Sequence, residues 1–133
     1  MIVSYKKVYI PSYNLSVLRP IVRVAIAGPK QQWIGEALLD TGADRSLFDI
    51  EVARDVGLDL SNASRQRFGG IGKDQVQVYT IDVGLGIIGM KEKVKIPIGF
   101  MENANIRALL GQEGFFDAFK ITFDRRRDSI EIK

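Results

Sequence analysis

Leu39-Asp40-Thr41-Gly42-Ala43-Asp44 is the stretch on which the reading of this chain turns. An apolar run, Ala37-Leu38-Leu39, ends there by delivering a carboxylate into a tight turn. Thr41 brings a hydroxyl suited to supporting such a turn, and Gly42, having no Cβ, lets another stretch of backbone come close. A lone Asp-Thr-Gly has a plainer reading as well, that of an aspartate opening a turn by accepting bonds from its own backbone. The flanking sequence decides between them.

On both sides the chain reads as mostly β. Residues 19–27 (RPIVRVAIA) alternate apolar positions, Gly28-Pro29-Lys30 interrupts, and residues 32–39 (QWIGEALL) resume, which predicts a hairpin running straight into Asp40. Residues 49–56 (DIEVARDV) put Ile50, Ala53 and Val56 on one helical face, with Gly57 where a C-terminal cap would sit, so a short helix is expected. Residues 65–68 and 76–83 (VQVYTIDV) flank Gly69, Gly70 and Gly72 and predict a second hairpin with a glycine-rich tip. Residues 91–98 (KEKVKIPI) read as a strand, Pro97 marking an edge or an end. Residues 112–119 (QEGFFDAF) predict another short helix with Phe115, Phe116 and Phe119 inward. Residues 120–123 and 129–132 close the chain around Arg125-Arg126-Arg127, a run flanked by Asp124 and Asp128 and read as a solvated turn.

Composition removes whole classes of chemistry. At 133 residues, 46% of them hydrophobic, the chain is long enough for one core that needs neither disulfides nor a structural metal. It contains no cysteine and no histidine, which excludes Ser-His-Asp and Cys-His nucleophiles, thiolate or imidazole zinc sites and CxxC redox chemistry. Carboxylates remain as the leading catalytic groups, and of the 16 acidic residues Asp40 has the most unusual setting. The net charge of +3 is spread along the chain and few aromatics interleave with basic residues, so a nucleic-acid partner is not expected. No apolar run approaches the roughly 20 residues that span a bilayer, and the first residues (MIVSYKKVYI) lack a signal-peptide core. The expectation is a soluble, cytoplasmic protein with no membrane partner, and the start at Met1 without flanking polyprotein makes a free-standing cellular protein the expected provenance.

Three segments, in order, resemble the machinery of the retropepsin-like aspartic proteases. Leu39 to Asp44 resembles their active-site turn, Phe68-Gly69-Gly70-Ile71-Gly72 their flap tip, and Ala108-Leu109-Leu110-Gly111 the segment that supports the catalytic loop. Residues 115–123 (FFDAFKITF) look like the family's C-terminal helix and final strand region. The resemblance divides the chain into an N-terminal segment, 1–20, forming an edge or dimer strand, and a protease domain, 21–133. It implies an all-β closed barrel with one or two short helices and a flap hairpin.

What the resemblance implies chemically is an aspartic endopeptidase. Two carboxylates about 3 Å apart cannot both ionise cheaply, so one takes a proton from water while the other donates one. This chain supplies one Asp-Thr-Gly, so the second Asp40 must come from a second copy across a two-fold axis. By the same likeness Asp40 is catalytic, Thr41 braces the two loops, and Gly42 offers its carbonyl to an extended polypeptide substrate. Ala43, Asp44, Gly70 and Ile71 would line the cleft, and Leu38, Leu47 and Leu109 match further cleft positions. Arg45 and Arg107 would attract acidic substrate side chains. No metal or cofactor is implied. One position departs from the retroviral pattern: Gln112 stands where an Arg pairs with the acidic residue matching Asp44, and a hydrogen bond from Gln112 to Asp44 without charge is expected in its place. Two alternatives stay open, a catalytically silent peptide-binding or scaffolding module of the same fold and a small basic barrel that binds nucleic acid.

Overall fold

Alternation of apolar and polar residues draws most of this chain into strands, and a computed structural model describes residues 1–68, 76–102, 104, 105 and 107–133. In chain order these are β1 (Ile2–Ser4), β2 (Lys6–Ile10), a short turn at Pro11–Tyr13, β3 (Leu15–Arg19), β4 (Ile21–Ala27), β5 (Gln32–Leu39), β6 (Ser46–Asp49) and helix α1 (Ile50–Val56). They continue with β7 (Ser64–Phe68), β8 (Val76–Ile87), β9 (Lys93–Met101), β10 (Ala108–Leu110), an irregular turn at Gln112–Phe116, β11 (Ile121–Asp124), a turn at Arg125–Arg127 and β12 (Ser129–Ile132).

Six strands close into a barrel in the order β4, β5, β10, β6, β9, β8, with β8 returning to pair with β4. Closure depends on the 12-residue length of β8. Its first half pairs with β7, its central stretch with β9, and its last residues with β4 through Leu85↔Ile26 and Ile87↔Val24. The inward positions follow the alternation seen in the sequence: Val22, Val24 and Ile26 from β4, Val83, Leu85 and Ile87 from β8, and Ile96, Ile98 and Phe100 from β9 are buried. Phe48 of β6 is fully buried and meets Trp33 and Phe100 edge to face at centroid separations of 5.7 and 6.2 Å. The pairs expected from residues 19–27 with 32–39 and from 65–68 with 76–83 are present as antiparallel β4–β5 and β7–β8.

Helix α1 follows the capping logic of its sequence. Asp49 accepts from the Glu51 amide at 3.0 Å, Gly57 closes the far end at φ +80°, and Ile50, Val52, Ala53 and Val56 are buried. The second predicted helix is different. Glu113 and Gly114 leave helical geometry, Gly114 at φ +83°, because their amides are taken elsewhere, by the Asp44 carbonyl at 2.7 Å and the Asp117 carboxylate at 2.9 Å. Only one helical turn survives, from Phe115 to Phe119, which still buries those two rings. Pro97 does not end its strand, since β9 continues to Met101. It is tolerated because pairing with β6 begins one residue later, at Ile98.

Strands β1, β12 and β11 form a separate three-stranded sheet in which β1, among the described residues, pairs with β12 alone. The β2–β3 hairpin forms its own two-stranded sheet, tied near its base by an ion pair from Lys6 to Glu36 of β5. The expected glycine-rich tip, including Gly70 and Ile71, lies outside the described residues. Among the described residues no helix is long and apolar enough to cross a membrane.

Phe48 anchors the strand that leaves the Asp40 turn, so Phe48→Ala should lower stability by about 3–5 kcal/mol. Urea unfolding followed by tryptophan fluorescence checks this, and a loss below about 1 kcal/mol would mean that the aromatic cluster is not the core it is described to be.

Candidate active site

The turn that carries Asp40 links two strands that are not neighbours. β5 and β6 lie on opposite sides of β10, parallel to it through Leu110↔Leu39 and antiparallel through Ala108↔Phe48. Residues 40–45 therefore cross over the end of β10. The crossing is fixed from below: the Asp40 amide donates to the Leu110 carbonyl at 2.9 Å, the Gln112 amide to the Ala43 carbonyl at 2.8 Å, and the Glu113 amide to the Asp44 carbonyl at 2.7 Å.

Gly111 is where loop and strand touch. A Cβ there would sit 2.7 Å from the Arg45 carbonyl carbon and oxygen and 2.8 Å from the Ala43 oxygen, all of them backbone atoms that cannot swing aside. The Gly111 amide donates to Ser46 Oγ at 3.1 Å, and Ser46 is fully buried. Neither Ser46 nor Glu113 is singled out by the sequence reading. The signal for Ser46 was a lone hydroxyl at an inward position of the strand Ser46–Asp49, two residues before the inward Phe48.

Asp40 itself is half-buried, and its Oδ1 accepts from the Gly42 amide at 2.9 Å. Among the described residues no other donor reaches its carboxylate. The turn-type bond occupies Oδ1, and among the described residues no hydrogen bond reaches Oδ2. Thr41 and Gly42 are exposed beside it, Ala43 is half-buried and Asp44 exposed. Gly70 and Ile71 fall outside the described residues. Among the described residues no group of three or more acidic side chains converges as a metal site requires.

The departure at Gln112 resolves differently from expectation. Its side-chain amide donates to the Thr41 carbonyl at 2.8 Å rather than to Asp44. Charge reappears one residue further along on both segments and with reversed polarity, as Arg45 Nη2 lies 3.1 Å from Glu113 Oε2. Arg45, expected as a free cation for acidic substrates, is thus already paired. A concavity lined by Ala43, Asp44 and Leu47 adjoins the turn downstream of Asp40, and another, lined by Leu38, Ile21 and Arg107, lies over β4 and β5. Leu109 is half-buried between Leu38 and Leu47 in the sheet.

A six-stranded barrel with a crossed Asp-Thr-Gly loop over an apolar strand and glycine defines the retropepsin-like fold, and the fold resembles that of aspartic protease domains. Among solved structures, the chain is similar to the crystal structure of the retroviral protease-like domain of Ddi1 from Leishmania major, with a TM-score of 0.64 over 88% of this chain and 90% of that chain. Identity is 18%, so the likeness is one of fold. No family model and no curated protein matches the sequence.

Ser46→Ala should leave the Gly111 amide buried without an acceptor and cost about 1–3 kcal/mol. Denaturant unfolding measures it. A neutral substitution would show that the Ser46 hydroxyl does not hold the strand to the loop.

Proposed function

We propose that the chain is an aspartic endopeptidase that acts as a homodimer on extended polypeptides, with the two Asp40 residues facing each other across the two-fold axis. The observation that carries this reading is the half-buried Asp40, clamped over β10 with one carboxylate oxygen held by Gly42 and a concavity lined by Ala43, Asp44 and Leu47 beside its turn. A single carboxylate of this kind cannot activate water and protonate the carbonyl oxygen at once; a facing pair that shares one proton can.

In that pair the ionised Asp40 takes a proton from water as the water oxygen bonds to the scissile carbonyl carbon, and the protonated Asp40 donates to the carbonyl oxygen. Collapse of the resulting diol breaks the C–N bond, with a proton passing to the leaving nitrogen. Thr41, exposed next to Asp40, would brace the partner loop. Gly42 would offer its carbonyl to the peptide backbone, and Ala43, Asp44, Gly70 and Ile71 would line the path of the substrate. Exposed Ile2 and the outer edge of β1, which among the described residues is paired on its β12 side alone, would give a second copy a surface to cover. We read the protein as cytoplasmic, a setting that the lack of cysteine fits.

Cleavage of an unfolded protein substrate, compared between wild type and Asp40→Asn, tests the reading. The variant should lose activity by about 10²–10⁴-fold or more, with the wild-type rate bell-shaped and highest in the acid range, near pH 4–6 as an order-of-magnitude expectation. Equal rates for the two proteins would remove the enzyme reading and leave a silent peptide-binding module. Light scattering at micromolar concentration should give twice the 14.9 kDa chain mass; a persistent monomer would contradict the shared site.

A further inference from the structure

The barrel closes without residues 6–19. β2 and β3 pair with each other and, among the described residues, with no other strand. Opposed residues of a hairpin share a face, so Val8 with Val17 and Ile10 with Leu15 form one apolar surface, on a hairpin whose five-residue strands are about 17 Å long. None of these four belongs to the hydrophobic core or packs against it, and Leu15 is 45% exposed. A two-stranded hairpin alone is marginally stable in water, so this one needs a surface to lie on. Its root is beside the Asp40 turn: Ile21 pairs with Leu38, and the Leu39 amide donates to the Pro20 carbonyl at 2.9 Å, which puts Arg19 level with Asp40.

We infer that the β2–β3 hairpin is an arm that crosses to a second copy of this chain and lays Val8, Ile10, Leu15 and Val17 on its surface beside Asp44 and Asp117. The inference rests on the reading of Asp40 as half of a shared site, because a hairpin rooted level with Asp40 then stands next to the two-fold axis. Charge identifies the surface it meets. Residues 1–19 carry Lys6, Lys7 and Arg19 and no acid. Lys6 is held by Glu36 of its own chain, whereas Lys7 and Arg19 are exposed and enter no ion pair among the described residues. The same holds for two carboxylates, Asp44 in the Asp40 loop and Asp117 at the end of the turn bonded to that loop. Burial of the apolar face supplies the affinity, and the opposed charges set the orientation. By symmetry each copy gives one arm and receives one.

Two measurements on the full chain test this. The double variant Val8→Asp with Val17→Asp charges the face of the arm without touching the core, so circular dichroism should keep the β signature. Sedimentation equilibrium should show its dimer dissociation constant raised by about 100-fold or more. In the second, Leu15 is replaced by photoreactive benzoylphenylalanine in dimers mixed from isotopically light and heavy chains. Mass spectrometry should find cross-links that join a light chain to a heavy one, at the segments holding Asp44 or Asp117. The cross-link decides alone if the charged variant does not fold. Cross-links confined to the arm's own chain, or found only to an added extended peptide, would overturn the inference, as would an unchanged dissociation constant in a folded variant. Cross-links between chains in a protein that cleaves nothing would uphold the arm and remove the protease reading. Cleavage that depends on Asp40, with cross-links only within one chain, would do the reverse. A monomer at every concentration would overturn both.

Discussion

The passage of one strand end beneath one loop is the constraint on which the rest of the molecule depends. β10 must emerge under residues 40–46 at a separation that allows no Cβ at Gly111, whose position would put that atom 2.7 Å from the Arg45 backbone. From this contact follow the orientation of the Asp40 turn, the diversion of the 112–114 amides from a helix, and the placing of Glu113 within reach of Arg45. The barrel serves to hold the two partners of that contact in register. β5 and β6 flank β10, and the closed order of strands leaves neither free to slide without turning Val22, Leu39 or Phe48 out of the core.

Magnitudes indicate which bonds fix the loop. The Arg45–Glu113 pair is partly exposed, and ion pairs of that kind contribute about 0–1 kcal/mol. The Gly111 amide on Ser46 Oγ is buried, and the three backbone bonds from Asp40, Gln112 and Glu113 meet the same loop; each such bond contributes about 1 kcal/mol, and leaving a buried one unmade costs more. Rigidity therefore comes from the backbone contact. Gln112 adds a further bond to the loop, donating to the Thr41 carbonyl at 2.8 Å.

The strands were legible because their period is two and their inward residues are aliphatic, as in Val22, Val24 and Ile26. Helix α1 was legible because Asp49 and Gly57 cap it locally. What the sequence did not disclose depends on contacts distant along the chain. Ser46 and Gly111 are 65 residues apart, and Arg45 and Glu113 are 68 apart, so no local pattern announces either pairing. The helix predicted at 112–119 failed for the same reason, since the Glu113 amide is claimed by Asp44 from another part of the chain. Asp40 could be chosen among 16 acids by its setting, whereas the side chains that shape its surroundings could not. In the first 20 residues, the pairing of β1 with β12 depends on the opposite end of the chain and so had no local signature.

In the proposed function a lone Asp40 is a turn residue, and two of them brought together would act as an acid and a base. The measurement that bears on this most directly is a crystal structure of the protein grown with an uncleavable peptide, from which the distance between the Asp40 carboxylates of two copies is read. The account predicts carboxylate oxygens about 3 Å apart across a two-fold axis, with peptide lying over them. Carboxylates more than about 10 Å apart in every assembly, beyond the roughly 6.5–9.5 Å that separates even paired carboxylates acting through an intervening water in other hydrolases, would contradict it.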